Sequence, residues 1–161
     1  MHEPRLSAAL RTLLHGQRVG ALGTLGPDGR PQVSMVPFAI DRALGCLVLH
    51  VSALAAHTRN LQMAPDVSLM VMQPEVPGEP VHALPRVSLE ANAELIAPEG
   101  PRWQSLRTAY LARFPEAEPM TQLGDFRFFA LQPVAARHVA GFGAARSVDA
   151  EELARVLAAE G

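Results

Sequence analysis

The chain has 161 residues and a formal net charge of -2, so it offers no basic surface for a phosphate backbone, and we expect no nucleic-acid partner. Hydrophobic residues make up 48% of the chain but aromatic residues only 5%, which predicts an aliphatic core. The single cysteine, Cys46, excludes an internal disulfide and a cysteine-based zinc site, and no metal site is expected.

The N-terminus lacks the pattern of a signal peptide, and no apolar stretch approaches the ~18 residues of a membrane-spanning helix. We therefore expect a cytoplasmic protein with no membrane partner. The length favours one main domain. We place it over residues 1–148, followed by a C-terminal helix over 149–161.

The first half of the chain reads as a helix followed mostly by strands. The segment Gly26-Pro27-Asp28-Gly29 is typical of a tight turn, because proline presets one φ angle and glycine accepts a positive one, so a β-hairpin is expected around it. The predicted elements are a helix over 5–15, strands over 19–25, 31–40 and 46–51, a helix over 55–63 and a strand over 67–72.

The second half predicts further strands and two helices. In order they are a strand over 86–96, a helix over 101–114, strands over 126–131 and 134–139, and a helix over 151–159. Asp149 is a candidate cap for that last helix. Hairpin connections and the lack of regular βαβ alternation argue against a Rossmann fold. The fold class is therefore mainly β with flanking helices, a six-stranded antiparallel Greek-key barrel.

Three groups of residues are candidates for chemistry. His57, Thr58, Arg59 and Asn60 gather several donors and one fixed charge near a helix start, where an anion is stabilised; a solvated polar helix face is the alternative. Pro37 interrupts the strand that contains Ser34, Met35 and Val36, which leaves backbone groups free for a ligand or marks an ordinary bulge.

The third group lies near the end of the predicted sheet. It contains His138, Gly141, Phe142 and Arg146. Glycine permits close approach of a flat ligand to the backbone, and histidine is a possible ligand of haem iron. A strand histidine that is simply hydrogen-bonded is the alternative interpretation.

Taken together, three segments resemble the signature series of the haem-utilisation branch of the pyridoxamine 5'-phosphate oxidase-like proteins. They are residues 34–41, residues 54–61, and Gly124-Asp125-Phe126 leading to the segment 138–143. The resemblance implies a split β-barrel. It also implies a homodimer with an FMN site at each end of the interface.

The resemblance further implies roles for particular residues. Ser34, Met35, Val36 and Pro37 would lie along the flavin; His50, Val51 and Ser52 would meet its ring or ribityl chain; and His57, Thr58, Arg59 and Asn60 would hold its phosphate. The strand at 34–38 carries none of the basic residues of the pyridoxamine phosphate oxidases, so oxidation of that vitamin is not expected.

The main functional hypothesis is an FMN-dependent oxidoreductase of unknown substrate, for which no catalytic side chain stands out. The alternative is a haem-binding protein of haem-iron utilisation, with His138 as a candidate ligand and Arg146 as a partner for a propionate. A third hypothesis is a dimeric interaction protein without a working site. Flavin and haem are both planar and anionic, so one cleft is expected to serve either.

Overall fold

A computed structural model describes residues 2–161, which form one antiparallel sheet of eight strands with four flanking α-helices. The strand order is β2-β1-β5-β6-β7-β4-β3, with β8 paired to β7. The elements are α1 Arg5–Gly16, β1 Val19–Leu25, β2 Pro31–Pro37, β3 Ala39–Asp41, β4 Cys46–Ser52, α2 Ala56–Met63, β5 Asp66–Met72, β6 Arg86–Leu95, α3 Pro101–Arg113, β7 Phe126–Val139, β8 Ala145–Asp149 and α4 Ala150–Ala158, with 3₁₀ helices over Val81–Ala83 and Pro115–Gln122.

The predicted hairpin is confirmed between β1 and β2. Gly29 has a φ of 77°, the left-handed region that glycine adopts without strain. The Asp28 carboxylate accepts a hydrogen bond from the Arg30 backbone N–H at 3.1 Å, which stabilises the turn.

The predicted mainly β fold is confirmed, but the described residues form eight strands, against six in the predicted barrel and seven among the predicted segments. The strand expected over 31–40 divides at Phe38, whose N–H bonds to the Arg18 carbonyl at 3.0 Å instead of continuing the ladder. The two strands expected over 126–139 are one, because Pro133 sits at a register shift of the ladder, where its missing N–H costs little. Strand β8 was not predicted.

The sheet curls around a mainly aliphatic core. Leu22 of β1, Leu89 of β6 and Leu49 of β4 are fully buried in the same cluster, although their strands are far apart in the sheet order. A second cluster lies on the other face of β4 and β7, where Leu106 and Tyr110 of α3 pack on the sheet. Each such buried leucine contributes about 1.5–3 kcal/mol.

Helix α3 is fixed at its C-terminal end by one guanidinium. Arg113 donates to the carbonyl oxygens of Gln17 at 2.7 Å, Phe38 at 3.1 Å and His15 at 2.8 Å. These three carbonyls belong to the end of α1 and to the break between β2 and β3. The arginine therefore joins three separate segments and helps to hold α3 on the sheet.

Helix α4 begins as its sequence predicted. The Asp149 carboxylate accepts a hydrogen bond from the Glu152 backbone N–H at 2.9 Å, which is the capping interaction. Its buried Leu153, Val156 and Leu157 belong to the barrel cluster. Among the helices of residues 2–161, none is long and apolar enough to cross a membrane.

Candidate functional site

A cavity of about 440 Å³ lies at the N-terminal half of α3. Its walls come from the end of β4, from α3, from the 3₁₀ helix Pro115–Gln122 and from the start of β7. The side chains that define its chemistry are His50, Trp103, Arg107, Phe126 and Arg127. We call this space the His50 cavity.

His50 is buried and unpaired. Its side chain is 8% exposed, and its ring stacks on Phe126 with centroids 5.1 Å apart and lies 4.4 Å from the ring centroid of Phe128. The Nδ1 atom is buried without a hydrogen-bond partner among the described residues. Burial lowers the pKa of His50 to about 4, because the charged imidazolium is desolvated there. The ring is therefore neutral at pH 7.

Two guanidinium groups line the same cavity. Arg107 donates from Nε to the Thr121 hydroxyl at 3.0 Å, and a carboxylate oxygen of Glu118 lies 3.9 Å from its Nη2. Arg127 donates only to backbone carbonyls, those of Gly124 and Phe126, and has no carboxylate partner within residues 2–161. Its charge is thus available to an anion in the cavity.

The rim of the cavity holds a strained residue. Glu99 has a φ of 68°, which is unfavourable for a residue with a side chain and costs about 1–2 kcal/mol. No other non-glycine residue of the described chain has a positive φ. Such strain is frequent where a backbone is shaped for a ligand.

The helix segment predicted to hold a phosphate divides between two faces of α2. Thr58 donates to the Ser52 carbonyl at 2.6 Å, and both Thr58 and Asn60 are buried. Asn60 also donates to the Thr24 hydroxyl at 3.1 Å and to the Gln32 side-chain oxygen at 2.7 Å. These two side chains therefore bind α2 to the barrel.

His57 and Arg59 lie on the other face of the same helix. Arg59 is exposed, and it makes no hydrogen bond or ion pair with any described residue. His57 is half-buried, and burial lowers its pKa. Of the four predicted phosphate contacts, these two are the ones left open to solvent.

The remaining residues predicted to contact the flavin also fall into two groups, those buried in the core and those facing solvent. Val36 and Val51 are buried together in the barrel core, so they contact protein. Met35 and Pro37 point outwards from β2, and Ser34 is half-buried. The structure brings Ser52 to α2 but turns His50 into a cavity that no β2 residue lines.

At the end of the sheet, the His138 ring is enclosed and the Arg146 guanidinium is already paired. His138 is 1% exposed and lies opposite Arg146 in the ladder. Arg146 is already held by two hydrogen bonds of 2.8 Å to the Glu152 carboxylate, which also accepts from the Ser7 hydroxyl at 2.5 Å. Gly141 and Phe142 lie in the loop between β7 and β8, where Phe142 is 85% exposed.

A second surface is apolar rather than polar. A groove of about 460 Å³ runs over the outer face of the sheet, lined by Gly23, Leu25, Ser68, Glu90 and Val134 among others. On neighbouring β2, Val33 and Met35 are 72% and 69% exposed. Large apolar side chains in such an exposed row mark an interaction surface.

The fold is that of a split β-barrel, and comparison with known sequences gives its family. Residues 6–140 match the model of the pyridoxamine 5'-phosphate oxidase family. The chain belongs to this family, in its haem-utilisation branch. The resemblance inferred from the three signature segments is thereby confirmed.

Named relatives share most of the barrel. A Vibrio cholerae protein named heme oxygenase HutZ is 32% identical over 92% of this chain and 84% of its own length. A chloroplast protein of Arabidopsis thaliana, named non-canonical heme oxygenase HOZ, is 36% identical over 84% of this chain but only 40% of its own length. The structure of a heme binding protein from Mycobacterium smegmatis superimposes with a TM-score of 0.84 at 32% identity, covering 96% of this chain and 62% of that one. These names favour the haem interpretation over the flavin one.

Sequence reasoning missed most of the cavity. The resemblance identified His50, but Trp103, Arg107 and Arg127 were not among the candidate residues. Trp103 and Arg107 stand four residues apart on α3, so they share one face of the helix. The sequence signal for this cavity was a charged residue, Arg107, one helical turn from an aromatic residue, Trp103, on the buried side of an amphipathic helix.

Proposed function

We propose that this protein binds haem and serves in haem-iron utilisation. The observation that carries the proposal is the 32% identity to the V. cholerae protein named heme oxygenase HutZ, which extends over 92% of this chain. The similarity covers the whole barrel rather than one motif. We therefore infer a shared ligand class.

The residues of the His50 cavity fit such a ligand. Haem presents a flat apolar ring, two carboxylates and an iron that accepts nitrogen ligands. The cavity presents aromatic walls, the free charge of Arg127 and the unpaired, neutral imidazole of His50. Bound haem would supply the redox chemistry of its iron, while the chain would bind the ring, orient it and exclude water.

Titration of the purified protein with ferric haem tests the proposal. We expect the absorbance near 400 nm to saturate at one haem per chain at micromolar concentrations. Iron-free protoporphyrin is the control for adsorption to apolar surface. An absorbance that rises without saturation, and equally for both porphyrins, would contradict haem binding.

The flavin hypothesis rests on the family match, and Arg59 gives it a sharp test. Arg59 is the exposed cation of α2, whereas the Thr58 hydroxyl already donates to Ser52. If FMN binds at α2, Arg59→Ala is expected to weaken it about tenfold. Thr58→Val, the control, is expected to cost about 1 kcal/mol of folding stability instead. Fluorescence titration measures the first and urea unfolding the second; equal FMN affinities for wild type and Arg59→Ala would exclude α2 as the phosphate site.

We further propose a homodimer formed through the outer face of the sheet. The exposed Val33 and Met35 and the neighbouring apolar groove support it, because a monomer leaves this surface in water. Light scattering is expected to give twice the 17.3 kDa chain mass. Val33→Lys is expected to shift the protein towards the monomer; a wild-type monomer at micromolar concentration would refute the dimer.

A further inference from the structure

We propose that Phe142 anchors the homodimer by inserting into a small apolar pocket on the loop between β5 and β6 of a second copy of this chain. The inference rests on the homodimer proposed above and goes beyond it, because it names the side chain that one copy contributes and the pocket that receives it. By two-fold symmetry, each copy supplies one anchor and one pocket.

Phe142 lies at the tip of the hairpin that joins β7 to β8. Its side chain is 85% exposed, and it belongs to neither of the two core clusters. Backbone hydrogen bonds hold the tip, from the Ala140 N–H to the Ala144 carbonyl at 3.2 Å and from the Ala144 N–H to the Gly141 carbonyl at 3.1 Å. Gly143 has a φ of 75°, which glycine adopts without strain. The turn therefore presents one large aromatic side chain to solvent in a fixed position.

The receiving pocket is formed by residues 73–85 and has a volume of about 100 Å³. Its walls are mostly apolar, and they include Val76, Pro80, Val81, Leu84 and Pro85. An apolar cavity of ~150 Å³ accommodates a whole benzene molecule. A smaller pocket that opens to solvent therefore suits the ring of one aromatic side chain. We call it the loop pocket.

The loop pocket is formed before any partner binds. Gly78 has a φ of 87° within a turn in which the Glu79 N–H donates to the Val76 carbonyl at 3.1 Å. The Gln73 N–H donates to the Pro85 carbonyl at 3.1 Å, which joins the two ends of the loop. Proline fixes φ at four positions of this segment. Little conformational entropy is therefore lost when a ring enters the pocket.

The anchor and the loop pocket lie at the same end of the sheet. Val139, the last residue of β7, pairs with Arg86, which begins β6 directly after the loop. Val139 also pairs with Ala145, the first residue of β8. The turn with Phe142 and the loop pocket thus extend from adjacent strands, so a two-fold axis near this end can exchange them between two copies.

Exposed apolar side chains connect the loop pocket to the dimer face proposed above. Met35 of that face pairs with Ala21, which pairs with Met70 of β5. Two residues further along the same strands, and therefore on the same side of the sheet, Val19 and Met72 are 48% and 41% exposed. Met72 ends β5 where the loop begins. The apolar surface therefore continues from the dimer face to the loop pocket.

The two surfaces also carry opposite charge. Glu75 and Glu79 line the loop pocket, are exposed and form no ion pair within residues 2–161, while Arg86 beside them offsets one of the two charges. Arg137, on the strand that leads to Phe142, is exposed and has no carboxylate partner in the same part of the chain. A negative pocket surface and a positive anchor surface favour the contact between copies.

Insertion of Phe142 into the loop pocket of its own chain is disfavoured. The residue does not line that pocket, although the two segments extend from adjacent strands. To reach it, the hairpin tip would have to bend and lose the hydrogen bonds between Ala140, Gly141 and Ala144. A second copy can meet the side chain in the position that it already has.

Analytical ultracentrifugation of a dilution series measures the anchor. Phe142→Ala removes both anchors of a symmetric dimer, and we expect its dissociation constant to rise about a hundredfold. Phe142→Tyr keeps the ring and should change the constant by less than about threefold. Leu54→Ala is the matched control, because Leu54 is also 85% exposed but lies before α2, and it should leave the constant unchanged. A wild-type constant in Phe142→Ala overturns the assignment.

Cross-linking tests which pocket receives the anchor. Chains of different mass carrying Phe142→Cys or Val81→Cys, both with Cys46→Ala, are mixed and mildly oxidised, and the linked peptides are identified by mass spectrometry. We expect a disulfide between position 142 of one chain and position 81 of the other. Leu54→Cys mixed with Val81→Cys should give none. If Phe142→Cys and Val81→Cys in one chain link only to each other, Phe142 closes on its own loop and the assignment is overturned.

The outcomes separate the anchor from the homodimer itself. If Val33→Lys dissociates the dimer while Phe142→Ala does not, and no disulfide joins positions 142 and 81 of two chains, the homodimer stands and the anchor fails. A wild-type monomer at micromolar concentration refutes both.

Discussion

Two regions of this protein hold a buried histidine with an unpaired Nδ1, and they differ in everything around it. At His50 the ring lines a cavity, and the nearby Arg127 has no acid. At His138 the ring is enclosed, and the nearby Arg146 is paired with Glu152. An imidazole without a hydrogen-bond partner therefore indicates a ligand site only where a cavity and an unneutralised charge lie beside it; otherwise it belongs to the packing of the fold.

The largest expected effect concerns pH. Both histidines are neutral when folded and protonate in the unfolded chain near pH 6.5, so the unfolded state binds more protons and stability falls as the pH drops from 6.5 towards 4. For His50 this loss is about 3 kcal/mol. The share of His138 is smaller: desolvation lowers its pKa and the Arg146 guanidinium lowers it further, while the Glu152 carboxylate opposes both, and the net shift is less than that of His50.

Urea unfolding at several pH values between 7 and 4 checks this difference. His50→Phe is expected to flatten the pH dependence strongly and His138→Phe only slightly. If both variants reduced the pH dependence of unfolding equally, the environments of His50 and His138 would be electrostatically alike, which would contradict this prediction.

The next effect concerns the ion pair between Arg146 and Glu152, beside His138. Glu152→Ala is expected to destabilise the fold by about 2–3 kcal/mol, because it leaves the half-buried Arg146 and the Ser7 hydroxyl without their partner. Haem affinity is expected to remain unchanged. Chemical denaturation and haem titration of the same sample measure both quantities.

Arg127→Gln provides the contrast to Glu152→Ala. Its partners are backbone carbonyls near the surface, so its loss should change stability by less than about 0.5 kcal/mol. A large loss of stability in Arg127→Gln would mean that this residue is structural, as Arg146 is.

A loss of stability smaller than that of Glu152→Ala is expected at the start of α4, the helix that carries Glu152. Asp149→Ala removes the cap and is expected to cost about 1 kcal/mol without altering haem binding. Asp149→Asn, which keeps a capping oxygen, should recover most of that loss. Thermal unfolding of the three proteins measures it, and a cost above that of Glu152→Ala would contradict the ranking.

What the sequence could predict was local. The turn at 26–29 and the cap at Asp149 depend on neighbouring residues, and both are confirmed. Strand β8 was missed because its five residues carry little strand signal of their own and are held by pairing with β7. Pro133 caused the opposite error, a predicted break within β7. A proline ends a strand only where its N–H is needed by the ladder.

At the candidate site, less could be predicted from the sequence than for the fold. His50 was identified only through resemblance, because a histidine in an apolar strand has no distinctive pattern. The cavity around it joins segments more than seventy residues apart, from β4 to Arg127, and its electrostatics depend on which arginines remain unpaired. That information exists only once the chain is folded.

The anchoring of α3 by Arg113 has a kinetic consequence. That end of the helix is held by three carbonyls. Its first half is held by an exposed pair between Arg102 and Glu94, with bonds of 2.7 and 2.8 Å, and by one hydrogen bond of 2.6 Å from the Ser105 hydroxyl to the Asp41 carboxylate. Exposed pairs contribute about 0–1 kcal/mol, so the helix opens more easily at the end that carries Trp103. Ligand would then enter from that side, and Arg102→Ala should speed association and dissociation alike in stopped-flow mixing. The equilibrium affinity should stay as it is, which makes residence time in this cavity adjustable independently of binding strength.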